Sequence, residues 1–279
     1  MPYIKEVFIA PLVVEVKKYH TYQVGRKERM PKVNPTDEAH QKANERAARV
    51  KLYRYIVTNF KRDDIRIDLT YADPEPTPEE AEKRRAAFIR RLKYRYQKLG
   101  KELKAIWVTE KEGHRIHHHL IVNNVGIGRD KIQECWPWAT FNYRSVRYYD
   151  GSPEDALRLA DYLLKETSES VKEGKIKRRW GMTRNLEKPH VTKKKIYARS
   201  WKEIPKPKKG FQIVKLENGV TLDGFPYQFV RQFAIENFSL GRKKNGRTGK
   251  KSKGTKVGPQ NRRPGRKAER CGKNHLHRR

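Results

Sequence analysis

The sequence predicts an α+β fold in which an antiparallel sheet carries helices on one face, in a split βαβ order. Strand-like and helix-like segments alternate along residues 65–164. Two of the strand-like runs are joined through Lys111-Glu112-Gly113-His114, which is typical of a hairpin. Two helices begin with Pro directly after Thr or Ser, which is a strong N-terminal signal. The face of such a sheet without helices would be open to a ligand.

The predicted elements follow one another as β, α, β, β, α, β, α. They are a strand at Ile65–Tyr71, a helix from Thr77-Pro78 to near Gly100, strands at Leu103–Thr109 and Ile116–Val122, a helix at Arg129–Trp136, a strand at Phe141–Tyr149 and a helix from Ser152-Pro153. The apolar run Val7–Val14 also favours a strand. It is a poor signal peptide, because Pro11 interrupts it and no small-residue cleavage site follows.

We expect four regions along the chain. Residues 1–50 are an N-terminal appendage, 51–200 a catalytic core, 201–240 a β-rich appendage with a turn at Asn218-Gly219, and 241–279 a basic tail. The tail holds 16 Lys or Arg against one acidic residue, Glu269, and almost no large apolar side chains. Such a composition cannot bury enough apolar surface to offset the entropy of ordering, so we expect disorder.

The charge balance points to a polyanionic partner. The chain has 66 Lys and Arg against 32 Asp and Glu, a net charge of +34, and the tail accounts for less than half of it. Nucleic acid is the first candidate, since no stretch approaches the ~18 apolar residues that a membrane span needs. The two cysteines, Cys135 and Cys271, lie in unrelated contexts and fit a reducing, cytoplasmic setting.

Four of the nine histidines fall within six positions, at 114, 117, 118 and 119. In a strand, His117 and His119 point to the same face and can chelate one metal ion. If the hairpin turn centres on Glu112-Gly113, Glu110 lies opposite Arg115 and shares the face of the histidine pair, whereas His114 lies on the other face. This parity favours Glu110, His117 and His119 as ligands of a catalytic divalent ion. A solvated histidine tract is the alternative.

Among the fourteen tyrosines, Tyr162 is the only one with a lysine three residues later. On a helix, Tyr162 and Lys165 lie on one face together with Arg158, while Leu157, Ala160 and Leu164 form the buried stripe. A phenol with a reference pKa of about 10 needs a nearby cation or metal to attack phosphorus. Tyr162 is therefore a candidate nucleophile, and an amphipathic surface tyrosine is the alternative.

These features resemble the HUH endonuclease superfamily, named for two histidines around a hydrophobic residue. The resemblance extends over about Asn59 to Pro189 and rests on the order of four segments. They are Leu69-Thr70-Tyr71, the hairpin with His117-His118-His119, Tyr162-x-x-Lys165 and the segment Arg179–Pro189, which is similar to one in rolling-circle replication (Rep) proteins of Gram-positive bacterial elements. Two departures are His118 in place of a hydrophobic residue and a single tyrosine on the helix.

The resemblance implies a ferredoxin-like or RRM-like core that nicks and joins single-stranded or hairpin origin DNA of a plasmid, phage or integrative element. Mg²⁺ or Mn²⁺ would lie on Glu110, His117 and His119, and Tyr162 would form a 5′-phosphotyrosine beside Lys165. Candidate DNA contacts are Trp136, Trp138, Tyr148, Tyr149, Arg158 and Arg184.

No phosphate-binding GxxxxGK[ST] loop is present, so a host helicase and a host DNA polymerase would be partners. No membrane partner is expected, and the oligomeric state is left open. Two other functions stay open as well. One is a conjugative relaxase or transposase with the same chemistry, for which three histidines would promote His114, and the other is a non-catalytic nucleic-acid-binding protein.

Overall fold

In the computed structural model, strands from the two ends of the described chain form one sheet and strands from its middle form another. The structure describes residues 2–20, 38–112, 115–172, 180–221 and 224–235, without the side chains at 38–41, 111–112 and 165–172. Our predictions for the tail at 241–279, for Cys271 and for His114 lie outside the described residues. None of the described helices combines the length and apolar character that crossing a bilayer requires.

Ten strands and four helices make up the described part of the chain. The strands are β1 Tyr3–Ala10, β2 Val13–Tyr19, β3 Ile65–Leu69, β4 Ala105–Glu112, β5 Arg115–Val122, β6 Val146–Tyr148, β7 Gly181–Met182, β8 Val191–Ile196, β9 Phe211–Val220 and β10 Pro226–Ala234. The helices are α1 Glu38–Asn59, α2 Pro78–Lys98, α3 Arg129–Gln133 and α4 Pro153–Lys172.

The middle of the chain forms an antiparallel sheet with the strand order β6-β3-β5-β4-β7, which we call the central sheet. The predicted α+β class is confirmed. Helices α2 and α3 pack on one face around Phe88, Leu92 and Ile132. Helices α1 and α4 cover much of the other face through residues such as Ile56 and Leu159. The space that we expected for a ligand on that face is therefore shared with α4.

The two predicted helix starts are confirmed by their caps. The Thr77 hydroxyl accepts a hydrogen bond from the Glu80 amide at 3.3 Å, and the Ser152 hydroxyl accepts one from the Asp155 amide at 3.0 Å. Gly151 precedes the second cap with a φ of 79°, and a Cβ there would lie 2.5 Å from the Arg62 backbone nitrogen. Only glycine fits this approach, so Gly151 helps to set where α4 begins.

The second sheet has the order β8-β1-β2-β10-β9 and joins the N-terminal strands to those near residue 230. The apolar run at Val7–Val14 contributes to two strands, β1 and β2, which turn at Pro11 and Leu12. We did not predict this long-range pairing. Helix α1, which begins in the predicted N-terminal appendage and ends in the predicted core, was not predicted either.

The expected turn at Asn218-Gly219 is wrong, because both residues lie inside β9, paired with Gln228 and Tyr227. The Asn218 side-chain oxygen accepts a hydrogen bond from the Gln228 side chain at 3.0 Å. A Cβ at Gly219 would lie 2.8 Å from the Tyr227 ring. The glycine is thus needed for a close approach within the ladder, and the chain turns after Val220.

A buried carboxylate holds α1 on the second sheet. Glu15 of β2 is 1 % exposed and accepts hydrogen bonds from Arg54 of α1 at 2.7 Å and from Arg231 of β10 at 2.7 and 2.8 Å. The Arg231 guanidinium also lies 4.8 Å from the centre of the Tyr53 ring. These charges satisfy one another where water is excluded, so loss of the carboxylate would leave two arginines uncompensated.

Candidate functional site

The hairpin of β4 and β5 places Glu110 directly opposite His117, and Val108 directly opposite His119. Our predicted register, with Glu110 opposite Arg115, is therefore wrong by two residues, because Glu112 pairs with Arg115 and the turn lies one residue later. A shift of the register by two residues leaves every side chain on the same face of the sheet. Glu110 consequently shares a face with both histidines, and this is the face that α4 covers. We call it the histidine face.

Asp68 is a residue of the site that sequence reasoning missed. It lies on β3 directly opposite His119, and its carboxylate accepts hydrogen bonds from His119 Nδ1 at 2.7 Å and from the Arg147 guanidinium. Burial raises the pKa of Asp68, but the hydrogen bond from His119 and the charges of His119, Arg147 and Arg66 outweigh it and lower the pKa. A single acid in the alternating run IRIDLTY was the signal available in the sequence.

His119 is the centre of the site. Its Nδ1 contacts Asp68, and its Nε2 lies 2.9 Å from Glu110 Oε2. Burial lowers the pKa of His119, but the two carboxylates outweigh this effect and raise it to about 9. Without a metal, His119 therefore carries a proton on each nitrogen at neutral pH, and each proton is donated to a carboxylate.

His118 points to the opposite face of the sheet and is fully buried. Its Nε2 lies 2.7 Å from the Tyr71 hydroxyl and its Nδ1 lies 2.9 Å from the Thr109 hydroxyl, while Trp136 packs against the ring. Burial, together with the positive charge of Arg85, lowers the pKa of His118 well below its ordinary value. His118 is thus a neutral residue of the core, in the position where the resemblance led us to expect a hydrophobic residue.

Tyr162 reaches the histidine face from α4. Leu159 and Leu163, on the same helix, are buried and anchor α4 against the sheet, while Tyr162 keeps 43 % of its surface exposed. Its hydroxyl lies 3.4 Å from His119 Nε2, and the two rings meet edge to face with centres 5.0 Å apart. Residues from three separate segments of the chain, β3, the β4–β5 hairpin and α4, thereby meet around one imidazole.

The nitrogen and oxygen atoms around His119 meet some of the requirements for binding a small divalent ion. Adjacent ligands of an octahedral ion with bonds of ~2.1 Å are about 3.0 Å apart, and Glu110 Oε2 and His119 Nε2 are 2.9 Å apart. Asp68 on Nδ1 is the kind of outer carboxylate that orients a ligating histidine. The ring centre of His117 lies 6.4 Å from that of His119. Within the described ranges, no group of three or more His, Cys, Asp or Glu has metal-binding geometry, so His117 would have to turn toward the pair.

Two of the aromatic residues predicted to contact DNA lie in the core. Trp136 is fully buried, with its indole nitrogen donating to the Thr70 carbonyl at 2.8 Å. Tyr149 is 1 % exposed, and its hydroxyl donates to the Ser152 carbonyl at 3.1 Å. Neither ring can stack on a base, and we correct both assignments. The sequence could not separate these rings from surface rings, because strand ends and short helices have no clear periodicity.

The other predicted DNA contacts lie at or near the surface. Trp138 is half-buried between Arg84 and Arg91, whose guanidinium carbons lie 5.6 and 5.1 Å from its ring centre. Tyr148 on β6 is 70 % exposed. Arg158 and Arg184 are exposed, and Arg158 lies close to Asp150 and Asp155. For Lys165 the backbone belongs to α4, but the side chain lies outside the described residues.

The segment around Trp180–Pro189 returns to the same sheet. Gly181 and Met182 form β7 and pair with Trp107 and Ile106 of β4. A Cβ at Gly181 would lie 2.4 Å from the Trp107 ring, so the strand can approach β4 only without a side chain there. This segment therefore closes one edge of the sheet that carries the histidines.

Fold and site together define an α+β protein in which a buried His–carboxylate cluster meets a half-exposed tyrosine on one sheet face. Residues 65–169, just over a third of the chain, match the family model described as replication-associated protein ORF2/G2P. The matched range runs from the first residue of β3 into α4 and contains Asp68, Glu110, His117, His119 and Tyr162. The match supports a replication initiator of the Rep type, with DNA as its partner. No curated protein and no solved structure matches the chain.

Proposed function

We propose that this protein is an HUH-type rolling-circle replication initiator that nicks single-stranded origin DNA with Tyr162. The observation that carries the proposal is the position of the Tyr162 hydroxyl, 3.4 Å from His119 Nε2, which itself lies 2.9 Å from Glu110. A phenol on the surface of an amphipathic helix has no structural need for such a neighbour. The similarity to replication-associated proteins over this part of the chain supports the same conclusion.

In the proposed reaction, the Tyr162 oxygen attacks the phosphorus of the scissile phosphodiester. A bond forms between that oxygen and phosphorus, and the bond from phosphorus to the 3′ oxygen breaks. The downstream strand stays on the protein as a 5′-phosphotyrosine, and the upstream strand leaves with a 3′-OH that a host polymerase can extend. Joining is the reverse step, in which a 3′-OH attacks the phosphotyrosine and releases the phenol.

Each residue of the histidine face has a separate part in this proposal. Glu110 and His119, with His117 turned toward them, would hold Mg²⁺ or Mn²⁺. The ion, when bound, supplies positive charge for the phosphate oxygens as charge develops in the transition state. Asp68 holds the His119 ring through Nδ1, so that Nε2 points at Glu110 and Tyr162. Lys165 follows Tyr162 by about one helical turn and is proposed to neutralise charge on the phosphate.

The test uses single-stranded oligonucleotides that tile the DNA next to the coding sequence, each labelled at its 3′ end. We expect a labelled fragment that stays attached to the protein in a denaturing gel, only when Mn²⁺ or Mg²⁺ is present. Tyr162→Phe should abolish the adduct, because the nucleophilic oxygen is lost. Tyr94→Phe is the matched control, since Tyr94 is another half-exposed tyrosine, on α2.

An adduct that persists in the Tyr162→Phe protein would exclude Tyr162 as the nucleophile. His119→Ala and Glu110→Gln proteins that cut as fast as wild type in Mn²⁺ would exclude the proposed metal site. Binding that weakens with salt, without any cleavage of the tiled oligonucleotides, would favour a non-catalytic nucleic-acid-binding protein.

A further inference from the structure

Two neighbouring rungs of the second sheet, on the same three strands, have different charge patterns. On one rung, Glu6 of β1 lies between Lys17 of β2 and Lys193 of β8. The Lys193 ammonium lies 2.6 Å from the Glu6 carboxylate, which also accepts a hydrogen bond from Tyr19 at 2.8 Å. Positive and negative charges alternate across this rung. Opposite charges on directly opposed residues stabilise a sheet.

On the next rung the charges have the same sign. Lys5 of β1 lies directly opposite Lys18 of β2 and directly opposite Lys194 of β8. We call these three residues the lysine row. With strands ~4.8 Å apart, neighbouring lysines of the row lie well within the ~8 Å Debye length of physiological salt, and the whole row spans about 10 Å. Like charges directly opposite each other destabilise a sheet.

Within the ranges that the structure describes, no carboxylate pairs with a member of the lysine row. Among the described residues, none of its three members forms an ion pair, and the Lys18 ammonium donates to the neutral Gln228 side chain at 2.7 Å. Burial lowers the pKa of Lys18, and the charge of Lys5 lowers it further. The arrangement therefore destabilises the sheet unless an anion from outside the chain offsets its charge.

The surroundings of the row are also basic. Residues 188–215 contain ten Lys or Arg against one acid, Glu203, and all ten are exposed, although two of them, Lys193 and Lys215, pair with carboxylates. Glu6 and Phe8 point to the sheet face that packs against α1, so Lys5 points to the opposite face, away from α1 and from Tyr162. The row thus belongs to a surface distinct from the proposed nicking site.

We propose that the lysine row binds the phosphate backbone of double-stranded DNA. A duplex carries one negative charge per ≈1.7 Å of its axis, so each of three ammonium groups spaced ~4.8 Å apart can lie near a phosphate. Single-strand binding sites add exposed aromatic rings for base stacking. On this face Tyr3 is buried, and half-buried Trp201 packs against Tyr3 and stacks on His20. A duplex held here would leave the single strand to the histidine face.

The test measures how the affinity of the full-length protein for duplex DNA depends on salt. In the Lys5→Gln/Lys18→Gln/Lys194→Gln variant, we expect the slope of log K against log salt to become shallower by about 2 to 3, since each lost duplex phosphate contact removes about 0.9. At physiological salt the affinity should fall at least about tenfold. No cleavage is involved, so the result does not depend on the role of Tyr162.

The matched control is Lys17→Gln/Lys193→Gln/Lys215→Gln, which removes the same charge from lysines that lie beside or opposite carboxylates. Its slope should change by less than one. A row variant with the slope of wild type, or a control that loses as much as the row variant, would overturn the proposal. So would a larger loss of affinity for a single strand of equal length than for the duplex. A lower melting temperature of the row variant would contradict the repulsion on which the argument rests.

Discussion

Replacing Asp68 with Asn would change the charge beside His119 while keeping the shape of the side chain. Asp68 accepts a hydrogen bond from His119 Nδ1 at 2.7 Å, and an amide oxygen at the same place can still accept it. The negative charge that favours the imidazolium is lost. The substitution therefore tests the electrostatic coupling that organises the site, and it requires neither metal nor DNA.

The size of the effect follows from the pKa of His119. Its value of about 9 lies about 2.5 units above the reference of 6.5, which corresponds to about 3 kcal/mol in favour of the protonated form. Two carboxylates produce this shift against the effect of burial, and the hydrogen bond to Asp68 is the larger contribution after burial. We expect Asp68→Asn to lower the pKa of His119 by about 1 to 2 units.

The same shift makes stability depend on pH. Because the pKa of His119 is higher in the folded protein than in the unfolded chain, its stabilisation is complete below pH 6.5 and disappears as the pH rises through about 9. The metal-free wild type should therefore lose about 3 kcal/mol of unfolding free energy over this range. The Asp68→Asn protein should lose less unfolding free energy. Its loss should also be complete at a lower pH, because the pKa of His119 is lower in this variant.

Two measurements check this prediction. Proton NMR of the imidazole follows the pKa of His119, and urea unfolding at pH 6 and pH 9.5 follows stability, both in the presence of a chelator. Asp161→Asn is the control, since Asp161 lies on α4 and pairs with Arg49 at 3.0 Å on an exposed surface. A His119 pKa that is the same in wild type and in Asp68→Asn would refute the reasoning, as would a wild-type value near 6.5.

Two further substitutions test side chains that stabilise the fold and lie outside the proposed catalytic site. His118→Ala should destabilise the fold by about 3 kcal/mol in urea unfolding, because it opens a cavity and removes one of the two hydrogen-bond partners of the Tyr71 and Thr109 hydroxyl groups. It should leave Mn²⁺ affinity, measured by calorimetry, unchanged, and loss of Mn²⁺ binding in the folded variant would contradict the structural role. Glu15→Gln should cost about 3 to 5 kcal/mol, because two largely buried arginines lose their counter-charge. A loss below about 1 kcal/mol would mean that water reaches the cluster.

Local signals in the sequence were sufficient for much of the central sheet. Thr77 and Ser152 marked helix starts that their hydroxyl groups cap in the structure. The parity of the hairpin placed Glu110 on the face of His117 and His119, although the register was two residues out. These predictions depend on neighbours in the chain, within a turn of helix or across one hairpin, and such short-range chemistry is readable from sequence.

The positions of the remaining residues depend on pairing and packing between segments that are distant in the sequence. Asp68 joins the site because β3 pairs with β5 across fifty residues of chain, and nothing local distinguishes it from a solvated acid. Trp136 and Tyr149 lie in the core because helices from other parts of the chain pack around them.

The second sheet is a further case, since its strands come from the two ends of the described chain. Whether a lysine such as Lys5 faces a carboxylate or another lysine is therefore set by strand partners that are distant in the sequence. The charge of the chain could be counted from its residues, but its arrangement on a surface depends on which strands meet.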